Sequence, residues 1–164
     1  TVRTRAFLGY TGQTASTDDA FPTGDLASFD ANGHLHLQGR RKNLLITSFG
    51  RNVSPEWVEA ALLAQPEIAQ AVVAGDARPW LAGLLVPMPG IGDTQLAAAV
   101  ARANAALPDY ARVGGWLAVP AFSVGNGQAT GNGRPVRDAI LSAHESAIAA
   151  LYENAAKEPD HVVL

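Results

Sequence analysis

The chain has 164 residues, of which 16% are charged, with a net charge of −3 and no cysteine. That length allows one domain, or one domain and part of another, with a buried core. The lack of cysteine excludes disulfides, thiol nucleophiles and Cys-ligated metals. The net acidity argues against a nucleic-acid partner, and no apolar run approaches the roughly 18 residues of a transmembrane segment.

Residues 1–40 are rich in turn signals and predict a β-rich segment with little core of its own. Asn32 and Gly33 stand between residues 26–29 and residues 34–37, the second of which alternate polar and apolar, and this is the pattern of a β-hairpin. We hypothesise that this β segment pairs with a second copy of the chain to form a homodimer.

From residue 43 onward the pattern becomes mixed α and β. Apolar runs predict strands at 44–46, 68–74, 81–86 and 116–119. Helix signals predict three helices, the first from Pro55 to about Ala64 with Ser54 as its cap, the second capped by Asp93, and the last opened by Pro135. The order predicts an α+β fold, a small β-sheet with helices packed on it.

Four segments contain residues suited to chemistry. In the first, Thr23–Asp25, the Asp25 carboxylate could accept hydrogen bonds from the hydroxyls of a ribose, although a simple turn explains the spacing better. The second, residues 39–42, opens a stretch that has four cations and no acid up to Arg51. This stretch indicates either a site for a small anion or a solvated edge strand.

The third segment, residues 48–52, is a loop whose backbone N–H groups could approach a ligand, with Arg51 pairing to a phosphate. A connecting loop with Gly50 at positive φ is the alternative. In the fourth, residues 126–137, free N–H groups and Arg134 at a helix start suit an anion, unless the segment is only a flexible turn. Neither a Walker nor a Rossmann glycine pattern is present.

The histidines give a weaker signal. His34 and His36 alternate on one predicted strand, but no third ligand stands near them in the sequence, so we predict no metal site. No G-x-S-x-G motif is present to place a serine nucleophile.

Taken in order, these segments resemble the C-terminal part of the adenylate-forming acyl-activating enzymes, a superfamily that includes acyl-CoA synthetases, peptide-synthetase adenylation domains and luciferases. The resemblance covers nearly the whole chain and rests on Phe7-Leu8-Gly9-Tyr10, Phe21-Pro22-Thr23-Gly24-Asp25-Leu26, residues 33–43, residues 50–59 and Asn132-Gly133-Arg134-Pro135-Val136-Arg137. Residues 50–59 look most like the long-chain fatty acid–CoA ligases.

The resemblance implies an AMP-forming ligase. A carboxylate attacks the α-phosphate of ATP, which carries Mg²⁺, to give an acyl-adenylate and pyrophosphate. The C-terminal domain then rotates and CoA displaces AMP. By the same resemblance Asp25 and Arg40 hold the ribose, Lys42 is the hinge, and Gly50 with Arg51 lines the thiol channel.

The resemblance also places Arg134 where the family has a lysine that contacts the substrate carboxylate and the α-phosphate. Residues 1–40 then form the β-rich tail of an N-terminal adenylation domain, and residues 41–164 form the mobile C-terminal lid domain.

The family's large N-terminal domain does not appear in this sequence, which also lacks an initial Met. We therefore expect a fragment of a cytoplasmic enzyme, inactive alone and with no cofactor bound. Its expected partners are the N-terminal domain of the same polypeptide and a fatty or other carboxylic acid. The alternatives are a non-catalytic binding or regulatory module with the same lid fold, and an independent nucleotide-binding domain.

Overall fold

The computed structural model describes residues 2–3 and 20–157 and divides the chain into two compact units, Thr1–Asn43 and Leu44–Leu164. The predicted division after residue 40 falls next to this boundary. Its assignment to an adenylation-domain tail and a lid stays a prediction. The resembling segment at residues 7–10 lies outside the described residues.

The first unit contains two short antiparallel strand pairs. Strands β1 (Val2–Arg3) and β2 (Ala20–Phe21) form one pair, and β3 (Asp25–Phe29) and β4 (Leu35–Arg40) form the other. A 3₁₀ turn, Arg41–Asn43, follows β4. The hairpin predicted around Asn32 and Gly33 is confirmed.

The turn of this hairpin is organised by Asp30. One oxygen of its carboxylate accepts the N–H groups of Asn32 at 2.8 Å and His34 at 2.9 Å. The other oxygen lies 3.1 Å from His34 Nδ1 and 3.2 Å from His36 Nε2. These hydrogen bonds, first the one from the His34 backbone, lower the pKa of Asp30. Both histidines therefore serve the turn.

The second unit is built on a three-stranded sheet. A short antiparallel pair, β5 (Leu45–Ile46) and β6 (Asn52–Val53), precedes it. The sheet has the order β7 (Ile68–Ala74), β8 (Leu81–Pro87) and β9 (Val113–Ala118). Its β7–β8 pair is antiparallel and its β8–β9 pair is parallel. Because β8 is central, almost all of its residues are buried, which explains its unbroken apolar run.

Helices cover both faces of this sheet. They are α1 (Pro55–Leu63), α2 (Asp93–Ala105), α3 (Arg137–Ala143) and α4 (Glu145–Lys157). One core joins Val58 and Leu62 of α1 and Leu96 of α2 to the sheet. A second core, on other residues of β7 and β8, contains Ile140 of α3. The predicted α+β fold is confirmed, and no helix in the described part of the chain could cross a membrane.

Three helix starts differ from the prediction. Ser54 stands at the N-cap of α1, but its hydroxyl donates to Glu56 Oε2 at 3.0 Å and does not cap an N–H group. Asp93 is the first residue of α2, after the N-cap Gly92. The prediction that Pro135 opens the last helix is wrong. Pro135 forms a β-bridge with Ala129 before α3, and the predicted single helix is two helices, α3 and α4.

An aromatic contact joins α4 to the sheet. The Trp80 and Tyr152 ring centres are 4.2 Å apart, and the Tyr152 hydroxyl donates to Trp80 O at 3.0 Å. Trp80 lies on the backbone of β9 at Gly114, where an added Cβ would stand 2.9 Å from the indole. The two consecutive glycines of β9 therefore make room for Trp80.

Candidate functional site

Asp25 and Arg40 are brought together by the register of β3 and β4. The two residues face each other across the hairpin, and Arg40 Nε lies 3.0 Å from Asp25 Oδ1. Arg40 Nη1 also donates to Thr23 O at 2.9 Å. Gly24, at φ +76°, turns the chain between Thr23 and Asp25. The structure thus pairs two predicted site residues, and their role toward a ribose stays a prediction.

Basic residues line a depression of about 350 Å³ in the first unit, together with Thr23 and Gly24. They are Arg40, Arg41 and Lys42. A depression with three cations on its wall suits an anionic ligand, such as the phosphate of a nucleotide. Lys42 lies in the 3₁₀ turn that ends the unit, and its role as a hinge stays a prediction.

The turn between β5 and β6 contains Gly50, which adopts φ +73°. Its N–H groups are committed within the protein: Gly50 donates to Thr47 O at 2.8 Å, Arg51 to Thr47 Oγ1 at 3.2 Å and Ser48 to Arg78 O at 2.9 Å. The prediction that backbone N–H groups here approach a ligand is wrong for these three residues. The positive φ that the alternative interpretation expects of Gly50 is confirmed.

The Arg51 side chain extends beside an aromatic ring. Its Cζ atom lies 5.7 Å from the centre of the Tyr110 ring, and both side chains are exposed. A guanidinium on a ring face keeps its N–H groups available for an anion. Arg51 is thus placed to bind a charged ligand, and the predicted thiol channel at Gly50 and Arg51 stays a prediction.

Arg134 lies in a tight hairpin. Thr130 N–H donates to Arg134 O at 2.8 Å, Arg134 N–H donates to Thr130 Oγ1 at 3.1 Å, and Gly133 adopts φ +78°. The seven-residue α3 begins three residues later. The prediction of free N–H groups at a helix start beside Arg134 is therefore wrong, because the hairpin uses the N–H groups of Gly133 and Arg134 itself.

The Arg134 guanidinium projects from this hairpin as an exposed cation. Within the part of the chain that the structure describes, it makes no hydrogen bond or ion pair. Among the described residues of the second unit, no hydrogen bond or ion pair joins the Arg134 side chain to the turn that contains Gly50 and Arg51. A cation without a partner on an ordered hairpin can receive a carboxylate or a phosphate.

Below the hairpin lies an ion pair that the sequence interpretation missed. Arg137 Nη2 donates to both carboxylate oxygens of Glu59, at 2.6 and 2.8 Å, and Arg137 Nη1 donates to Val73 O at 2.8 Å. Val73 N–H in turn donates to Glu59 Oε1 at 2.7 Å. The side chains of Arg137 and Glu59 are 18% and 11% exposed, so this network is nearly shielded from water.

Burial raises the pKa of Glu59, and Arg137 opposes that increase. One signal could have located Glu59 in the sequence. It belongs to the buried face of α1, which otherwise carries Pro55, Val58 and Leu62. A carboxylate on an apolar stripe requires a partner, most often a guanidinium.

Comparison with known proteins agrees with this architecture. The profile of the AMP-binding enzyme C-terminal domain matches residues 42–156. The chain belongs to this family. The resemblance seen in the sequence is thereby confirmed for the second unit, which contains Gly50, Arg51 and Arg134.

Two curated relatives are long-chain-fatty-acid–CoA ligases. FadD15 of Mycobacterium tuberculosis is 46% identical over 71 residues, which are 43% of this chain and 12% of the relative. ACSBG1 of Mus musculus is 38% identical over 86 residues, which are 48% of this chain and 12% of the relative. The matched segments thus span about an eighth of these relatives' lengths.

A solved structure shows the same fold over most of the chain. It is the A-PCP didomain of carboxylic acid reductase from Segniliparus rugosus in complex with AMP. It aligns with a TM-score of 0.76 and 25% identity, covering 87% of this chain and 22% of that chain.

Proposed function

We propose that the chain is the C-terminal part of an ATP-dependent, AMP-forming acyl-CoA ligase that acts on fatty acids. The observation that carries the proposal is the guanidinium of Arg134, which has no partner among the described residues and is held on an ordered hairpin in a domain of the AMP-binding enzyme family. The relatives' names support a fatty-acid substrate and CoA as the acceptor. The whole protein requires a preceding adenylation domain to hold ATP and the acyl chain.

In this proposal Arg134 neutralises the developing charge between the substrate carboxylate and the α-phosphate of ATP. A guanidinium offers several N–H donors in a planar fork, so it can contact one oxygen of each group. One carboxylate oxygen of Asp25 pairs with Arg40 at 3.0 Å, and the other oxygen can accept a hydrogen bond from a ribose hydroxyl.

The test uses the polypeptide that carries this chain behind the adenylation domain. We expect pyrophosphate release that depends on both ATP and a fatty acid, and about a 100-fold loss in Arg134→Ala because a charge-stabilising donor is removed. Arg102→Gln serves as the control, since Arg102 pairs with Glu67 at 2.6 Å elsewhere in the domain. Full activity of Arg134→Ala would contradict the assigned role.

One observation favours a second candidate, a non-catalytic module with the same fold. Arg134 occupies the position at which the resemblance implies a lysine, and a wide fork is not equivalent to a compact ammonium. This candidate predicts no pyrophosphate release from the wild type and a gain in Arg134→Lys. The ligase proposal predicts an active wild type whose activity does not increase in Arg134→Lys.

A further inference from the structure

The Glu59–Arg137 ion pair occupies the outer edge of the sheet. In the order β7-β8-β9, the one strand among the described residues that pairs with β7 is β8, so one side of the β7 backbone faces outward. At Val73 the ion pair covers that side. The Val73 N–H donates to Glu59 Oε1 at 2.7 Å, and the Val73 C=O accepts from Arg137 Nη1 at 2.8 Å. The two side chains thus replace the donor and acceptor of a neighbouring strand.

Strand β7 also binds the segment that contains Arg134, once before the hairpin and once after it. Upstream, Gln70 exchanges two hydrogen bonds with the backbone of Phe122, at 2.8 and 3.1 Å. Downstream, Arg137 donates its hydrogen bond to Val73 O of β7. Between them the hairpin is closed by Val136 N–H donating to Gln128 O at 2.9 Å.

We propose that Arg137 is a positioning residue that fixes the Arg134 guanidinium for the adenylation step. This inference rests on the proposed function. Arg137 is not placed to receive the substrate itself, because three of its five N–H donors bind Val73 O and the Glu59 carboxylate and its side chain is 18% exposed. It acts through the chain, since Arg134 stands three residues before it on the hairpin that α3 anchors. A displacement of about 1 Å at a reacting centre can cost about 100-fold in rate.

The two half-reactions of the full-length enzyme separate positioning from general damage. Adenylation is measured as pyrophosphate release, and thioester formation as transfer of a synthetic acyl-adenylate to CoA. We expect Arg137→Gln to lower kcat for adenylation about 10- to 100-fold with little change in the KM for ATP. Thioester formation should stay within about twofold, because the resemblance assigns it to Gly50 and its neighbours.

Two further variants sharpen the comparison. Arg137→Lys keeps a cation beside Glu59 but loses the fork that reaches Val73 O, so its adenylation rate should lie between those of the wild type and Arg137→Gln. It carries the test if Arg137→Gln does not fold. Arg102→Gln, which breaks the Arg102–Glu67 pair, is the matched control and should leave both half-reactions unchanged.

Hydrogen exchange on the 164-residue chain gives a readout that needs no activity. Arg137→Lys, which leaves the Glu59 carboxylate with a cation beside it, should speed exchange at least tenfold at the hairpin amides of Gly133 and Arg134, whose N–H groups donate to Thr130. The amides of central strand β8, such as Leu84 and Leu85, should keep their protection. Faster exchange throughout the domain would overturn the inference, because it would show a general structural role.

The outcomes distinguish the inference from the function on which it rests. A wild-type enzyme that releases no pyrophosphate contradicts the proposed function. A wild-type enzyme that does so, with Arg137→Gln and Arg137→Lys equally fast, overturns the positioning role alone. Equal losses in both half-reactions overturn it as well.

Discussion

At the scale of single residues, several polar groups of the second unit are buried beside its apolar cores, each with a partner. Removing one partner of a buried ion pair typically costs about 3–5 kcal/mol, because the other charge stays behind unpaired. Glu59 and Arg137 form such a pair. The hydroxyl of Tyr152 is another such group, since it donates to Trp80 O at 3.0 Å under the Arg78 guanidinium, which lies 4.7 Å from the ring centre.

Tyr152→Phe should lower the free energy of unfolding by about 1 kcal/mol at neutral pH, because it removes one hydrogen bond. Burial raises the pKa of Tyr152 to about 12 from 10.0. The unfolded chain ionises first, so the advantage of the wild type is complete below pH 10 and is lost as the pH rises through about 12. Urea unfolding at several pH values measures this difference.

The control for this experiment is Tyr110→Phe, an exposed tyrosine whose hydroxyl makes no hydrogen bond within the described residues. Its stability difference from the wild type should stay small at every pH. A Tyr152→Phe deficit that persists unchanged to pH 12 would refute the link between the hydroxyl and stability.

At the scale of elements, the three-stranded sheet positions every candidate residue of the second unit. The hairpin that contains Arg134 is anchored to β7, and the turn that contains Gly50 is fixed by the bond from Ser48 N–H to Arg78 O at 2.9 Å. The loop at Arg78 leads into Trp80, which packs on β9. We therefore expect strain at that contact to disturb the sheet and the turn that contains Gly50.

Gly114→Ala should destabilise the domain by about 1–3 kcal/mol, because the new Cβ would stand 2.9 Å from the Trp80 indole and 3.1 Å from its Cβ. Gly131→Ala is the matched control, since an added Cβ there meets nothing within 4 Å, and it should change stability by less than about 0.5 kcal/mol. Thermal unfolding of the two variants measures both effects. Equal melting temperatures would contradict this prediction, because they would show that the Trp80 side chain moves aside without cost.

Several elements could be predicted from the sequence because their signals are local. Residues 68–74 form a strand with the predicted bounds, since a continuous apolar run between turn residues fits a buried strand. Pro135 misled the prediction because proline suits a first helical turn and also an extended bridge, as it forms with Ala129. Only tertiary contacts choose between the two.

The site was predictable in part. Only the family resemblance linked Asp25 with Arg40: the Asn32-Gly33 turn sets the register as far as Ala27 opposite Leu37, and a register shift between Leu26 and Ala27, for which the sequence carries no local signal, then brings Asp25 opposite Arg40. The pairing of Glu59 with Arg137 spans 78 residues, and nothing local links them. The backbone donors of the Gly50 turn were overestimated because their partners, Thr47 and Arg78, are assigned only by the folded chain.

At the scale of the whole molecule, the chain is a C-terminal domain of the AMP-binding enzyme family with a β-rich unit before it. Its curated relatives are about eight times longer than the matched segment. The ligase proposal assigns ATP and acyl binding to the preceding domain and charge neutralisation to Arg134. Its central claim is that the carboxylate of the acid attacks the α-phosphate of ATP.

Isotope transfer in the full-length polypeptide tests that claim most directly. A fatty acid labelled with ¹⁸O in its carboxylate is incubated with ATP and CoA, and the nucleotide product is analysed by mass spectrometry. Because the bridging oxygen of an acyl-adenylate comes from the acid and leaves with AMP when CoA attacks, we predict AMP with one ¹⁸O atom. Unlabelled AMP, ADP as the product, or no nucleotide turnover would contradict the account.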